Sequence, residues 1–229
     1  MQEALVLARP PGQAQQLMLL LHAAGTTAAA MAPLGAVLAR EFPAAFIVGI
    51  EAPLAAEGGS GRTWYPAAGL TEENLPERVA AALPAFVEAV RHWQQQARVG
   101  TDAIALVGFS QGGIMALEST REGAPLAGRV VSIGGRFARL PERPNETTTL
   151  HLFHGKQDPV VPYGFTVEAA KHLVAIGADV TADVIPFLGR RVDDEVAALM
   201  IERLRGHLPR RTWAAAMRAA AELGPAGHD

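Results

Sequence analysis

The chain contains no cysteine. That excludes a thiol nucleophile, a thiolate-bound metal and a disulfide framework in one step. It also lacks any apolar run near the ~20 residues needed to cross a bilayer; Leu17–Leu21 is far too short. The segment Met1–Pro11 has neither a basic start nor a long apolar stretch, so no secretory signal is expected there. A net charge of -3 and the absence of any Lys/Arg cluster speak against a polyanionic partner, nucleic acid included. No metal-ligand cluster and no phosphate-cradling glycine loop is evident, so no cofactor and no metal is expected. These absences leave a water-soluble, cytoplasmic protein with a small-molecule substrate as the expectation. The oligomeric state is not readable.

What is present is an ordinary globular composition, 49% hydrophobic and 19% charged over 229 residues. Length favours a single domain, taken as residues 1–208, followed by a helical tail at 209–229. Short apolar runs alternate with segments of helical period, the pattern of a mainly parallel sheet with helices on both faces. Strands are expected at Leu5–Ala8, Gln16–His22, Phe46–Ile50, Ala103–Val107, Val130–Ile133, Leu150–Phe153 and Val180–Ile185. Helices are expected at Thr27–Glu41, Asn74–Val99, Gln111–Arg121, Val167–Ile176, Val192–Leu208 and Thr212–Leu223, with the end, Gly224–Asp229, frayed. Pro84 should bend or interrupt the first turns of the second of these. A polar, glycine-containing loop fills Glu51 to about Thr71.

Two motifs carry chemistry. Gly108-Phe109-Ser110-Gln111-Gly112 fits G-x-S-x-G, directly after a strand and directly before a helix. A sharp strand-to-helix turn flanked by small residues lets a strained serine project its hydroxyl. The helix N-terminus then offers backbone N–H groups to a developing oxyanion. A tight turn with a capping serine would produce the same letters. Downstream, His154-Gly155-Lys156-Gln157-Asp158-Pro159 follows the strand ending at Phe153. A carboxylate there is where a triad places its acid, although an Asp-Pro turn needs no catalytic reason.

Together with Leu19–His22, Gly61-Arg62-x-Trp64 and Met115–Ser119, the two motifs resemble the small bacterial carboxylesterases and acyl-protein thioesterases of the α/β-hydrolase fold, over roughly Leu5–Leu208. The resemblance implies an α/β-hydrolase fold and hydrolysis of carboxylic esters with short to medium acyl groups. Ser110 would be the nucleophile, Asp158 the orienting acid, and the backbone N–H groups of Ala24 and Gln111 the oxyanion donors. Trp64 and Tyr65 would line the substrate pocket, though packing would also explain two aromatics. The family usually reads His-Gly-x-Gly where this chain has His22-Ala23-Ala24-Gly25, so Ala23 should strain or reshape the loop if that glycine needs φ > 0.

The catalytic histidine of such enzymes corresponds to Arg190. A guanidinium stays protonated at ordinary pH and cannot take the Ser110 proton. Of the seven histidines, only His22 and His154 end strands on the site's side, and a structural role fits both better than rescue. Arg190 is expected to ion-pair with Asp158; alternatives are that it points into the pocket toward an anionic group, or lies exposed beside Arg191. The expected function is therefore an impaired serine ester hydrolase. The alternative is an inactive, engineered or repurposed scaffold that binds a small ligand.

Overall fold

The structure, a computed structural model, describes residues 3–121 and 123–222. Residues 223–229, and with them His228, the end Gly224–Asp229 and the last residue of the expected helix Thr212–Leu223, lie outside the described residues. Seven strands form one sheet: β1 (Ala4–Ala8), β2 (Gln16–Leu21), β3 (Ala45–Ile50), β6 (Ile104–Phe109), β7 (Arg129–Ile133), β8 (Thr149–Gly155) and β9 (Val180–Ile185). A two-stranded hairpin, β4 (Leu54–Ala55) with β5 (Arg62–Thr63), stands apart from it. The sequence pattern suggests only a loop there, because strands of two residues are too short to show alternation. The helices are α1 (Ala32–Glu41), α2 (Leu75–Ala97), α3 (Gln111–Glu118), α4 (Gly164–Ala175), α5 (Asp194–Gly206) and α6 (Arg210–Glu222).

The sheet order is β1-β3-β2-β6-β7-β8-β9, with β1 antiparallel to β3 and every other pairing parallel. Central strands are buried on both faces, which is why β2, β3 and β6 read as near-continuous apolar runs. Alternation still sorts their side chains. Leu17, Leu19 and Leu21 join Val48, Leu106, Phe86 and Ile114 on one face, beneath α2, α3 and α4. Met18 and Leu20 join Ile47, Val107, Leu38 and Met200 on the other, beneath α1 and α5. These two layers make the α/β-hydrolase fold, and they bring the C-terminal ends of β2, β6, β8 and β9 to one edge.

Pro84 does not interrupt α2, which runs unbroken for 23 residues. Proline 84 and Ala80, whose carbonyl loses its N–H partner, both lie on the exposed side of the helix. Solvent takes the freed acceptor there.

At the opposite end of the sheet, Asp179 accepts from Thr149 Oγ1 (2.7 Å) and the Arg210 backbone N–H (3.1 Å), and pairs with His207 Nε2 (2.9 Å). His151 lies behind this cluster, fully buried, with Nδ1 2.8 Å from Thr181 Oγ1 and Nε2 without a hydrogen-bond partner among the described residues. Burial, then the neighbouring His207 and Arg129, pushes the His151 imidazole down to about 4. Because the folded value lies below the unfolded ~6.5, the stabilisation is complete above pH 6.5 and is lost as pH falls from there toward 4. The loss is about 3 kcal/mol at 1.36 kcal/mol per unit. Denaturant titrations at pH 7 and pH 4 should show it, and His151→Gln should remove that share. Equal pH sensitivity in the two proteins would contradict this assignment.

Candidate active site

Ser110 sits between β6 and α3 with φ 54° and ψ −114°, one of two non-glycine residues at positive φ among those described. Such a conformation costs on the order of 1–3 kcal/mol and persists only where the surroundings enforce it. Here its N–H donates to Ile133 O (2.8 Å), and Ile114 N–H closes on the Ser110 carbonyl (3.0 Å). A Cβ on Gly108 would collide with Gly112 O, and one on Gly112 with Leu21 O. The two motif glycines are therefore required by close backbone approach. The residue is 4% exposed, and it opens into a cavity of about 320 Å³.

That cavity has apolar walls from Leu70, Leu75, Ile114, Val160 and Phe165, with Ala24, Tyr65, Gln111 and Arg190 near the serine. Gln111 is the first residue of α3, so its N–H has no acceptor within the helix. The Ala24 N–H has no hydrogen-bond partner among the described residues. Ala23 does not adopt positive φ, so the alanine is accommodated without the expected strain. Its carbonyl instead gathers the turn, accepting from Thr26 Oγ1 (2.8 Å) and lying 2.8 Å from His22 Nδ1. The same turn is clipped to β5 by Gly25 N–H to Arg62 O and Arg62 N–H to Thr26 O, both 2.8 Å.

The Gln111 side chain performs a second task that sequence reasoning missed. Its Oε1 accepts from Thr63 Oγ1 (2.8 Å) and Trp64 N (2.7 Å), and its Nε2 donates to Tyr65 O (3.0 Å). Both the amide oxygen and the amide nitrogen thus hold the 63–65 segment against the serine turn. Tyr65 lines the cavity, and burial raises its phenol far above the usual range, so it stays protonated and offers no base. Trp64 does not line the cavity. It is 1% exposed, packs edge-on against Phe86, and donates Nε1–H to His22 O (2.9 Å). Its role is to brace the loop from behind.

The Asp158 side chain is 1% exposed. Its Oδ1 accepts from Val160 N (2.8 Å) and Val161 N (3.1 Å), while Oδ2 has no hydrogen-bond partner among the described residues. The loop bearing Arg190 packs beside it, through Gln157 N–H to Leu188 O (2.9 Å). Arg190 nonetheless makes no ion pair with Asp158, contrary to the expectation from sequence; among the described residues no carboxylate lies within 4.0 Å of its guanidinium. Instead Arg190 Nη2 donates to Ser110 Oγ at 2.6 Å. The backbone amides already engage one oxygen of Asp158, and the longer arginine reaches past it to the serine.

Both strand-end histidines are engaged away from Ser110. His154 is fully buried with Nδ1 2.7 Å from Thr166 Oγ1 and Nε2 2.8 Å from Val161 O, so its ring donates from Nε2 and accepts at Nδ1. His22 Nε2 accepts from Ala52 N (3.0 Å) while Nδ1 faces Ala23 O. Burial, the largest influence in each case, lowers both below the ordinary imidazole value.

Sequence reasoning also missed two structural anchors. Arg136 binds Glu72 through two 2.7 Å hydrogen bonds and stacks 4.3 Å over Phe165, clasping the cavity rim. The Gly134-Gly135 pair before it, with Gly134 at φ +58°, was the available signal. Glu118, 4% exposed, accepts from Ala138 N (2.7 Å) and Arg139 N (3.2 Å) and holds the following loop. A charge ending an otherwise apolar helix was the sign.

Known proteins sharpen this picture. The model of the phospholipase/carboxylesterase family matches residues 2–208, nearly the whole chain. The chain belongs to the phospholipase/carboxylesterase family. The esterase YpfH of Escherichia coli (strain K12) is 41% identical over 205 residues, covering 90% of this chain and 88% of that protein. An acyl-protein thioesterase 1 of Gibberella zeae is 30% identical over 115 residues, 45% of this chain and 49% of its own. Among solved structures, esterase PE8 superposes with a TM-score of 0.80 at 25% identity, covering 90% of this chain and 98% of that one. As a member of this family the chain is a hydrolase built on an esterase scaffold, and the family match ends at residue 208, just before α6.

Proposed function

We propose that the chain hydrolyses carboxylic esters of short to medium acyl length through an acyl-Ser110 intermediate, at a rate limited by the lack of a base at position 190. Ser110 Oγ attacks the ester carbonyl. The Ala24 and Gln111 N–H groups receive the oxyanion, and the alcohol departs before water cleaves the acyl–Oγ bond. Asp158 is the acid left without its histidine. The observation that carries this reading is the 2.6 Å contact from Arg190 Nη2 to Ser110 Oγ. It makes the hydroxyl an acceptor from a group that never deprotonates, so the proton must leave to water. The apolar walls and the modest volume of about 320 Å³ favour a short chain.

The test is prolonged incubation with p-nitrophenyl butyrate followed by mass mapping. The expected result is a slowly accumulating butyryl group on the peptide containing Ser110, absent in Ser110→Ala. Turnover with the adduct on another residue would overturn the proposal. A second reading, a ligand-binding descendant of the scaffold, is favoured by the Arg190 guanidinium on the cavity wall, which has no carboxylate partner among the described residues.

A further inference from the structure

Arg190 borders a second cavity as well as the one at Ser110. This chamber, also about 320 Å³, lies between α1, α5 and the end of β6. Its walls are mainly apolar, from Met31, Leu34, Val37, Phe109 and Val192, with Ala30 at its edge. Four charged side chains reach it. Arg191 and Asp193 neutralise each other at 2.9 Å, and Asp193 also caps α5 by accepting from Val196 N (3.2 Å). Asp194 is exposed at the start of α5. That leaves Arg190, half-buried, shared with the serine cavity, and without a carboxylate within 4.0 Å among the described residues. Of its five N–H groups, one is spent on Ser110 Oγ, and the others have no partner among the described residues.

A guanidinium with open N–H groups on the wall of a mainly apolar chamber matches a ligand with an anionic head and an alkyl tail, of which an alkanoate is the simplest. The planar fork pairs with two carboxylate oxygens, and the tail removes apolar surface from water. We infer that the α1–α5 chamber is a binding site for medium-chain alkanoate anions, with the carboxylate on Arg190 and the tail directed away from Ser110, between Leu34, Val37 and Val192. Binding at this site needs no acylation of Ser110, and it goes beyond the proposed hydrolysis. An alkanoate seated there draws on the same guanidinium that holds Ser110 Oγ, so occupancy of the chamber and the state of the serine are coupled.

Isothermal titration with octanoate and with acetate tests this directly. The full chain should bind octanoate at least ten-fold more tightly than acetate. Arg190→Gln should weaken octanoate at least ten-fold, whereas Ala30→Trp, at an exposed position on the chamber wall, should erase the preference for octanoate over acetate. Leu70→Trp, which narrows the serine cavity, should leave octanoate binding intact. Ser110→Ala should bind octanoate at least as well as the parent, which separates this proposal from any outcome of the acyl-trapping experiment. Thermal midpoints of each variant establish folding, and Arg190→Lys, which keeps the charge, should retain part of the affinity. Failure of the parent to bind octanoate at millimolar concentration overturns the inference. So does sensitivity to Leu70→Trp without sensitivity to Ala30→Trp.

Discussion

Arg190→His should raise turnover of p-nitrophenyl butyrate by ~10³-fold or more, about 4 kcal/mol of transition-state stabilisation. The ceiling is set by subtilisin, where removing the triad histidine alone costs about 2 × 10⁶ in kcat. Two features of the site favour recovery. Oδ2 of Asp158 accepts no hydrogen bond among the described residues, with the buried His154 Nε2 3.8 Å away, so an imidazole at 190 can donate to it and present its other nitrogen to Ser110. The loop carrying position 190 is already fixed against the acid's loop by Gln157 N–H to Leu188 O. The same change removes the donor that occupies Ser110 Oγ. A gain below ten-fold in a folded Arg190→His protein would mean that something other than the base limits the reaction.

Gly112→Ala should be the most damaging single methyl group in the site. The added Cβ would collide with Leu21 O and lie 2.8 Å from His22 O, both backbone atoms, so no side chain can rotate away. Overpacking typically costs about 1–3 kcal/mol, and rigid backbone neighbours on both sides put this site at the upper end, about 3 kcal/mol. For a chain of this length that is a fall of roughly 10 °C in Tm. The relief available is a shift of α3 away from β2, which separates the Gln111 N–H from the Ala24 N–H. In the Arg190→His background turnover should therefore fall by ~10²-fold or more, the typical cost of losing an oxyanion donor. Gly100→Ala is the control: its Cβ meets nothing within 4 Å, and its Tm should stay close to the parent's. An unchanged Tm in Gly112→Ala would contradict the close packing of the serine turn on β2.

The serine turn was legible because its constraints are local. Strand, glycine, serine, glycine and helix succeed one another within a dozen residues, and the strained φ of Ser110 follows from that order. The parallel sheet was legible for a similar reason, since fully buried strands announce themselves as apolar runs separated by helices. What was not legible depends on distances between segments far apart in the chain. The sequence assigns Arg190 to Asp158 on charge alone. It does not reveal that two backbone amides already hold Oδ1, nor that the arginine's length carries it to Ser110. Trp64 looked like a pocket wall because aromatics often are. Only the fold shows Gln111 pulling the 63–65 segment inward, so that Tyr65 meets the cavity and Trp64 the core. The second chamber draws on residues 30–37, 109 and 190–197, and no local pattern joins them.

The central claim is that Ser110 lacks a base because Arg190 stands in its place, and a double-mutant cycle between the two positions tests it most directly. Hydrolysis of p-nitrophenyl butyrate would be measured for the parent, Ser110→Ala, Arg190→His and the double variant. With no base present the parent should turn over slowly, and removing the hydroxyl should forfeit only that slow acyl-Ser110 rate, whereas removing it from Arg190→His should abolish nearly all of the ~10³-fold recovered rate, because members of a triad act as a unit. A parent rate close to that of Arg190→His, lost in both backgrounds on Ser110→Ala, would mean that the parent already has a working base, and the account would fail.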